Sequence, residues 1–538
     1  MEQKSRALPY VTYWLNYKFF GMSSPAFHAT NLALHLVTAL AVLYCADAFL
    51  RELGGSSELG NSSRLPSRFA VAAALIFVVH PLTVEVTHYI RARDHGLVGL
   101  FAFLAAYGAL RFLKGKPVWI LFLAPVTLLA AVSKEPGLPH AVLAIFLVAI
   151  FGSQKKDWQR VISNRVTIIT CAVLCILAAV FYSSVLSPLV QALLSQTDDS
   201  RFGWHLLTQA RVFWAYLQLM VFPTSLCADH LVAWTRSTKD ITAWIGAGGI
   251  LIATIGTLVL WRKGYPVIAL FVALLSGHLL LRNLYVVSEL MVEYRTYPSM
   301  PWFAMLVALS LGMLMGKRTR LFAVCVALIV STLTVISIRR GREWQSAERL
   351  VNSTLEVYPL QLRALLELSR EDLREKKWQS VLDRQPEFQR LFASVMEANK
   401  NNPLRFYENW SLWVVVNECQ VSEAILNHKG PLAAKVALHA TAARMRANRI
   451  EHGLLWGIWC YHYGLALLAS GDTDKAFSYF QIIRGPLSVI PDSRIAEKLD
   501  QYGISRAILD KPIDTEFSPD MIEEMKSIGL PETVIFKP

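Results

Sequence analysis

The chain has 538 residues, of which 54% are hydrophobic and 17% charged. Soluble proteins carry about 25% charged residues, so this composition does not fit one ordinary soluble domain. Lys plus Arg exceeds Asp plus Glu by 53 to 40, a net +13. In a soluble chain that balance would raise nucleic acid as a partner. No basic stripe interleaved with aromatics is present, and membrane proteins gather basic residues in their cytoplasmic loops, so no nucleic-acid partner is expected.

The N-terminal segment, residues 1–28, is polar and aromatic, without the apolar stretch of a cleavable signal peptide. Apolar runs then begin at 29–50, 68–80, 96–113, 117–133, 138–152, 165–187, 242–261, 266–284, 298–316 and 320–338. A span needs roughly 17–25 residues, which makes 68–80 and 138–152 the weakest of about ten spans. Residues 205–223 mix His205, Gln209, Arg211 and Gln218 with Trp, Leu and Phe. That pattern fits a helix in the interface or beside a cavity. After Ile338 the composition becomes ordinary. The expected fold is all-α: a polytopic helical membrane domain over 1–338, then a soluble helical domain over 339–538.

Basic clusters at Arg51/Arg64/Arg68, Arg111/Lys114/Lys116, Lys155/Lys156/Arg160/Arg165, Arg262/Lys263 and Lys317/Arg318/Arg320 fall on one face if 205–223 does not span. The positive-inside rule makes that face cytoplasmic. The opposite face then receives 1–28, 81–95, 133–137, 188–241, 283–297 and everything after Ile338. His80-Pro81, Glu85, Arg91, Arg93, Asp94, Lys134-Glu135, Asp229-His230, Glu289, Glu293 and Arg295 all collect there. A transporter would instead place its polar groups near the bilayer midplane.

Seven cysteines without a CxxC signal neither a zinc ribbon nor a redox pair. Cys419 and Cys460 could pair if the soluble part is exported. That part contains Tyr461 to Ala466, a turn at Gly471-Asp472, and Lys475 to Phe480. A small residue at Gly464 and Ala476 before an aromatic fit a tetratricopeptide (TPR-like) helix pair.

Several segments, in order, carry a family resemblance. Arg6 to Leu36 reads RALPYVTYWLNYKFFGMSSPAFHATNLALHL, and His80 to Asp94 reads HPLTVEVTHYIRARD. Ser133-Lys134-Glu135, Leu207-Thr208-Gln209 with Tyr216, Pro223 and Asp229, and Glu293 to Tyr297 follow. Together they resemble the bacterial transmembrane-and-tetratricopeptide O-mannosyltransferase-like proteins of the GT-C glycosyltransferase superfamily.

The resemblance implies a polyprenyl-phosphate-sugar donor and no tightly bound cofactor. It also implies inverting transfer to a hydroxyl, on a protein Ser/Thr or an envelope glycan, at the outer face of the bacterial cytoplasmic membrane. A hydroxyl acceptor needs a carboxylate base, for which Glu85 and Asp94 are the candidates. A lipid-phosphate leaving group needs cationic clamps, for which Arg91, Arg93, Lys134 and Arg295 are the candidates. His80, Glu135, Asp229, Glu293 and Tyr297 are expected to support them. No metal ligands are assigned. The TPR-like domain is expected to hold a polypeptide acceptor or partner.

The chain departs from the family in one respect. The acid that such enzymes keep in the first outer loop has no counterpart in residues 1–28, whose sole acid is Glu2. The expectation is therefore that the functional protein begins upstream of Met1. The alternative is a non-catalytic membrane scaffold whose helical repeats hold a partner.

Overall fold

The computed structural model describes residues 6–53, 67–116, 118–152, 199–235, 237–283, 289–400, 404–405, 410–447, 453–483, 495, 519–528 and 530. The run at 165–187, with Cys171 and Cys175, lies outside them. The described chain is helical apart from one short antiparallel pair. It divides into two compact units, the first comprising 1–357 with 403–405 and the second the remainder.

In the first unit, α1 (Ala7–Phe20) is followed by α2 (Ser24–Leu53) and α3 (Arg68–Val79). A 3-10 turn (Pro81–Thr83), α4 (Val84–His88) and a second turn (Ile90–Ala92) lead into α5 (Arg93–Leu113). Then come α6 (Trp119–Ala131), α7 (Gly137–Gly152), α8 (Asp199–Val221), β1 (Trp234–Thr235), α9 (Ile241–Arg262) and α10 (Pro266–Asn283). A 3-10 segment (Glu293–Ser299), α11 (Met300–Met315), α12 (Thr319–Glu343) and α13 (Ala347–Val357) complete the unit.

Five helices among the described residues are long and apolar enough to cross a membrane, starting at Ser24, Ile90, Ile241, Glu293 and Thr319. A sixth arises if α3 and Pro81–His88, bent by 56°, form one broken span. The remaining apolar runs form shorter helices here: α6, α7 and Pro266–Leu281. Most apolar side chains of α9 and α12 are exposed, among them Ile245, Leu251, Ile252, Val324 and Leu328, as lipid-facing surfaces require. The 205–223 segment belongs to α8, which is not among the helices apolar enough to cross a membrane. Its His205, Thr208 and Gln209 are buried in the fold.

The core of this unit is an aromatic cluster. Trp302 lies 5.4 Å from Phe49, 5.1 Å from Phe103 and 6.0 Å from Phe271, ring centre to ring centre. Small residues let the helices approach. A Cβ on Gly99 would stand 2.5 Å from the Tyr297 ring, and one on Gly312 1.9 Å from Phe69. Glycine is therefore required where α5 meets the Glu293–Ser299 segment and where α11 meets α3.

The second unit contains α14 (Leu362–Arg374), α15 (Trp378–Lys400), α16 (Trp410–Lys429), α17 (Pro431–Ala447), α18 (Gly453–Ala469), α19 (Thr473–Ile482) and α20 (Pro519–Ile528). In chain order β2 (Leu404–Arg405) falls between α15 and α16, but it belongs to the first unit, where it pairs antiparallel with β1. The helix pair read from Tyr461 to Phe480 is α18 and α19, turning at Gly471 with φ +83°. Gly464 packs under Phe480, whose ring would lie 2.5 Å from an added Cβ. Cys419 and Cys460 are both buried free thiols, so the disulfide considered between them is not formed.

Candidate functional site

The His80-Pro81 step shapes the site. α3 ends at His80, whose backbone is extended, and Pro81 opens the following 3-10 turn. Nδ1 of His80 accepts the Leu82 amide at 3.2 Å, so Nε2 carries the proton and donates to the Met220 carbonyl at 2.9 Å. The His80 carbonyl accepts the Thr83 hydroxyl at 2.7 Å. His80 is thus a buried cap that fixes the bend and ties it to α8. The α4 helix that follows carries Glu85, which is buried.

Glu85 is 2% exposed, and its Oε2 accepts the Tyr294 amide at 2.9 Å. The carboxylate lies in the field of Glu293 and Asp229, which oppose its charge, and of Arg340, which favours it. Glu293, fully buried, is the more heavily bonded neighbour. Its Oε1 accepts the Cys227 amide at 2.6 Å and faces Nε2 of His230 at 3.2 Å. Its Oε2 accepts from Arg340 at 3.2 Å. A carboxylate so satisfied serves as an anchor, holding residues 227–230 against the 3-10 segment. Burial first, then the Glu293 charge, pushes the Cys227 thiol up, far from the thiolate range.

Asp94 stands in the first turn of α5. Its Oδ1 accepts the His95 amide at 2.7 Å and meets the His95 ring at 2.8 Å, while Oδ2 accepts from Lys134 Nζ at 2.6 Å. Lys134 sits in the turn between α6 and α7, closed by the Gly137 amide donating to its carbonyl at 2.8 Å. That turn needs Gly137, because a Cβ there would stand 1.8 Å from the Ala130 carbonyl oxygen. Beside it Arg6 grips Glu135 with two bonds, 2.9 and 3.1 Å, and lies 4.0 Å from Asp94. The His95 ring packs 4.4 Å from Tyr294, the residue whose amide binds Glu85. Two polar groups, Arg6 with Asp94, Lys134 and His95, and Glu85 with Glu293 and Arg340, therefore form one array around Tyr294, whose ring packs against His95 and whose amide binds Glu85.

Other expected residues lie elsewhere or do something different. Arg93 is buried, with four of its N–H groups bonded within the fold: to Asn31 at 2.6 Å, Thr12 at 3.0 Å, Asn16 at 2.8 Å and the Phe27 carbonyl at 3.0 Å. Its guanidinium also faces the Tyr13 ring at 4.5 Å. It fastens α1 and α2 to α5 and is not offered to a phosphate. Arg91 is exposed. Arg295 is buried, donates to the Glu289 carbonyl at 2.5 Å and faces its carboxylate at 3.5 Å. Its Nε has no partner among the described residues. Tyr297 is fully buried and donates its hydroxyl to His35 at 2.9 Å, whose other nitrogen bonds the Val78 carbonyl. Tyr297 therefore locks α2 to the 3-10 segment from below the array. Asp229 is half-buried.

Arg340, His95 and Arg6 were not singled out from sequence. Arg340 lies in a basic run closing the last apolar stretch, and of its two acid partners Glu343 is three positions away and Glu293 is 47. Among the described residues no group of three or more His, Cys, Asp or Glu side chains is arranged to hold a metal ion.

Chemically, the array offers two carboxylates in different settings. Asp94 is compensated by an ammonium and an imidazole at hydrogen-bond distance, while Glu85 accepts one backbone amide. Such a contrast is what separates the roles of two acids in one site. Lys134 is a cation that a phosphate could draw off Asp94, and Arg295 holds an unspent N–H.

Comparison with known proteins gives matches of low identity. Over 260 residues the chain is 24% identical to a protein O-mannosyl-transferase of Caenorhabditis elegans, covering 46% of this chain and 33% of that protein. It is 24% identical over 406 residues to protein O-mannosyl-transferase TMTC4 of Homo sapiens, covering 66% and 53%. It is 23% identical over 408 residues to TMTC4 of Mus musculus, covering 66% and 54%. The chain spans between a third and about half of the length of these relatives. No protein-family model and no solved structure matches it. The chain is thus similar in sequence to proteins named protein O-mannosyl-transferases, and it is a helical chain with several apolar helices long enough to cross a membrane.

Proposed function

We propose that the protein is a membrane glycosyltransferase of the GT-C kind, moving a sugar from a polyprenyl phosphate to a hydroxyl acceptor at the outer face of the membrane. The observation that carries this reading is the buried array joining Asp94, Lys134 and Glu85. In it a cation able to take a phosphate sits 2.6 Å from one carboxylate, and a second carboxylate is held by the Tyr294 amide. The relatives named as O-mannosyl-transferases make mannose the sugar to test first.

In this reading the donor phosphate binds Lys134 and Arg295 and is stabilised as charge builds on the departing lipid phosphate. Arg93 is assigned no part in donor binding, since its guanidinium is buried and four of its five N–H groups bond Asn31, Thr12, Asn16 and Phe27. Either Glu85 or Asp94 accepts the proton of the acceptor hydroxyl as it attacks the anomeric carbon from the face opposite the phosphate. One C–O bond forms, the bond to phosphate breaks with its electron pair, and the configuration inverts. The second unit, with its α18–α19 helix pair, would present a polypeptide acceptor.

The test is transfer from polyprenyl-phosphate mannose, labelled in the sugar, by the full chain in lipid nanodiscs. Glu85→Gln is expected to lower the rate ~10²–10⁴-fold, the effect of losing a general base. Arg295→Ala should lower it ~10²–10³-fold, the effect of losing a charge clamp. Absence of transfer to any hydroxyl acceptor, with hydrolysis also absent, would favour the scaffold reading.

A further inference from the structure

We infer that Arg340, at the end of α12, is a positioning residue for Glu85, acting through Glu293 and the Tyr294 amide.

The first observation is where Arg340 points. Three arginines stand at the end of α12, and Arg339 and Arg342 are exposed, as long basic side chains at a helix end ordinarily are. Arg340 alone turns inward and is 1% exposed. Burying a guanidinium is costly unless fixed acceptors receive it. The acceptors here are Glu293 at 3.2 Å and Glu343 at 2.5 Å.

The second observation is what lies around it. The last turns of α12 rest on the element that carries Glu85. Ser337 donates to the Val79 carbonyl at 2.6 Å, at the end of α3, and a Cβ on Gly341 would stand 3.2 Å from His88. From Arg340 the path runs to Glu293, along one peptide to Tyr294, and from the Tyr294 amide to Glu85. Arg340 is also the opposing cation in the field of Glu85, against Glu293 and Asp229. Arg340 is the arginine whose charge acts on Glu85; Arg295 bonds Glu289, and Arg93 bonds Asn31.

The remaining titratable groups facing this region come from every side. His28 on α2 meets the Thr87 carbonyl, His88 shares α4 with Glu85, and the His95 ring on α5 packs at a tilt against Tyr294. Asp229 and His230 belong to the segment after α8, and Glu343 to α12. None of them supplies a fixed positive charge. Arg340 therefore both locates the amide that binds Glu85 and sets the balance of charge in which Glu85 ionises. This inference rests on the reading of Glu85 as a carboxylate of the transferase site, yet its test needs no sugar donor.

The experiment is an infrared titration of the Glu85 carboxyl in the full chain in lipid nanodiscs, its band identified by loss in Glu85→Gln. Arg340→Gln should move the titration up by about one pH unit or more, a tenfold change in proton affinity. Arg340→Lys, which keeps the charge, should restore it most of the way. Glu293→Gln, which removes a like charge and frees Arg340, should move it down. An unchanged titration in Arg340→Gln overturns the inference, as does an upward move in Glu293→Gln. Should Arg340→Gln fail to fold, Glu293→Gln and Arg340→Lys decide it alone. Transfer activity measured on the same samples separates this inference from the transferase reading: normal transfer by Glu85→Gln would sink the role of Glu85 while leaving the titration result standing.

Discussion

Lys134 Nζ lies 2.6 Å from Oδ2 of Asp94, and both side chains are almost wholly withdrawn from solvent. Each charge offsets the other, and Asp94 also accepts the His95 amide. Removing one partner of a buried pair leaves an uncompensated charge and typically costs about 3–5 kcal/mol. Lys134→Met and Asp94→Asn are each expected to lower the midpoint of thermal unfolding in detergent. Combining the two should cost less than the sum, because the double variant leaves no orphaned charge. Strict additivity would mean that the two groups do not depend on each other.

The two arginines of the sequence IRARD give opposite expectations. Arg93→Lys keeps the charge but cannot reproduce four bonds to Asn31, Thr12, Asn16 and Phe27. It should loosen α1, raising proteolytic cleavage in residues 7–20 and lowering the unfolding midpoint. Arg91→Lys, at an exposed position, should change neither, with surface substitutions typically within about 0.5 kcal/mol. Equal effects of the two would remove the structural role given to Arg93.

That pair also marks how far the sequence could be read. The block from His80 to Asp94 was legible as a site because Pro81 breaks the helix, and Glu85 and Asp94 then follow on a segment outside the apolar runs. Both acids are buried, Glu85 on the Tyr294 amide and Asp94 on Lys134. Arg91 and Arg93 look equivalent along the chain, but residues two apart in a helical segment face different sides. The acceptors that claim Arg93 come from positions 62 to 81 residues away, with no local signal. Arg340 was illegible for the same reason: at a helix end a basic residue reads as an interface anchor, and only the fold shows it turned toward Glu293. The helical class was legible from the apolar runs. The span count was not, since the run at 68–80 ends at Val79 as read, and only the fold shows it continuing through Pro81–His88 at a 56° bend.

Gly99 tests the packing beneath the array. A methyl group there would stand 2.5 Å from the Tyr297 ring, which is itself held by His35. Overpacking of this kind typically costs about 1–3 kcal/mol. Gly99→Ala is expected to lower thermal stability, and Gly99→Ala with Tyr297→Leu should recover part of the loss by removing the ring edge. A Gly99→Ala variant as stable as the parent would show that α5 and the Glu293–Ser299 segment are free to separate.

The last prediction concerns which face of the membrane the array meets. Basic residues at Arg262/Lys263 and Lys317/Arg318/Arg320 should stay in the cytoplasm, and the segment around Thr238 and the end of α12 should lie outside. Thr238, Lys263, Lys317 and Gln345 are all exposed, so a cysteine at each would be reachable from its own side. In a background without native cysteines, a membrane-impermeant maleimide applied to intact cells should modify Thr238→Cys and Gln345→Cys. It should spare Lys263→Cys and Lys317→Cys until the membrane is opened. The reverse pattern would put Asp94, Lys134 and Glu85 on the cytoplasmic side, where a donor facing the outer leaflet could not reach them. The proposed direction of transfer would then be wrong even if the chemistry were right.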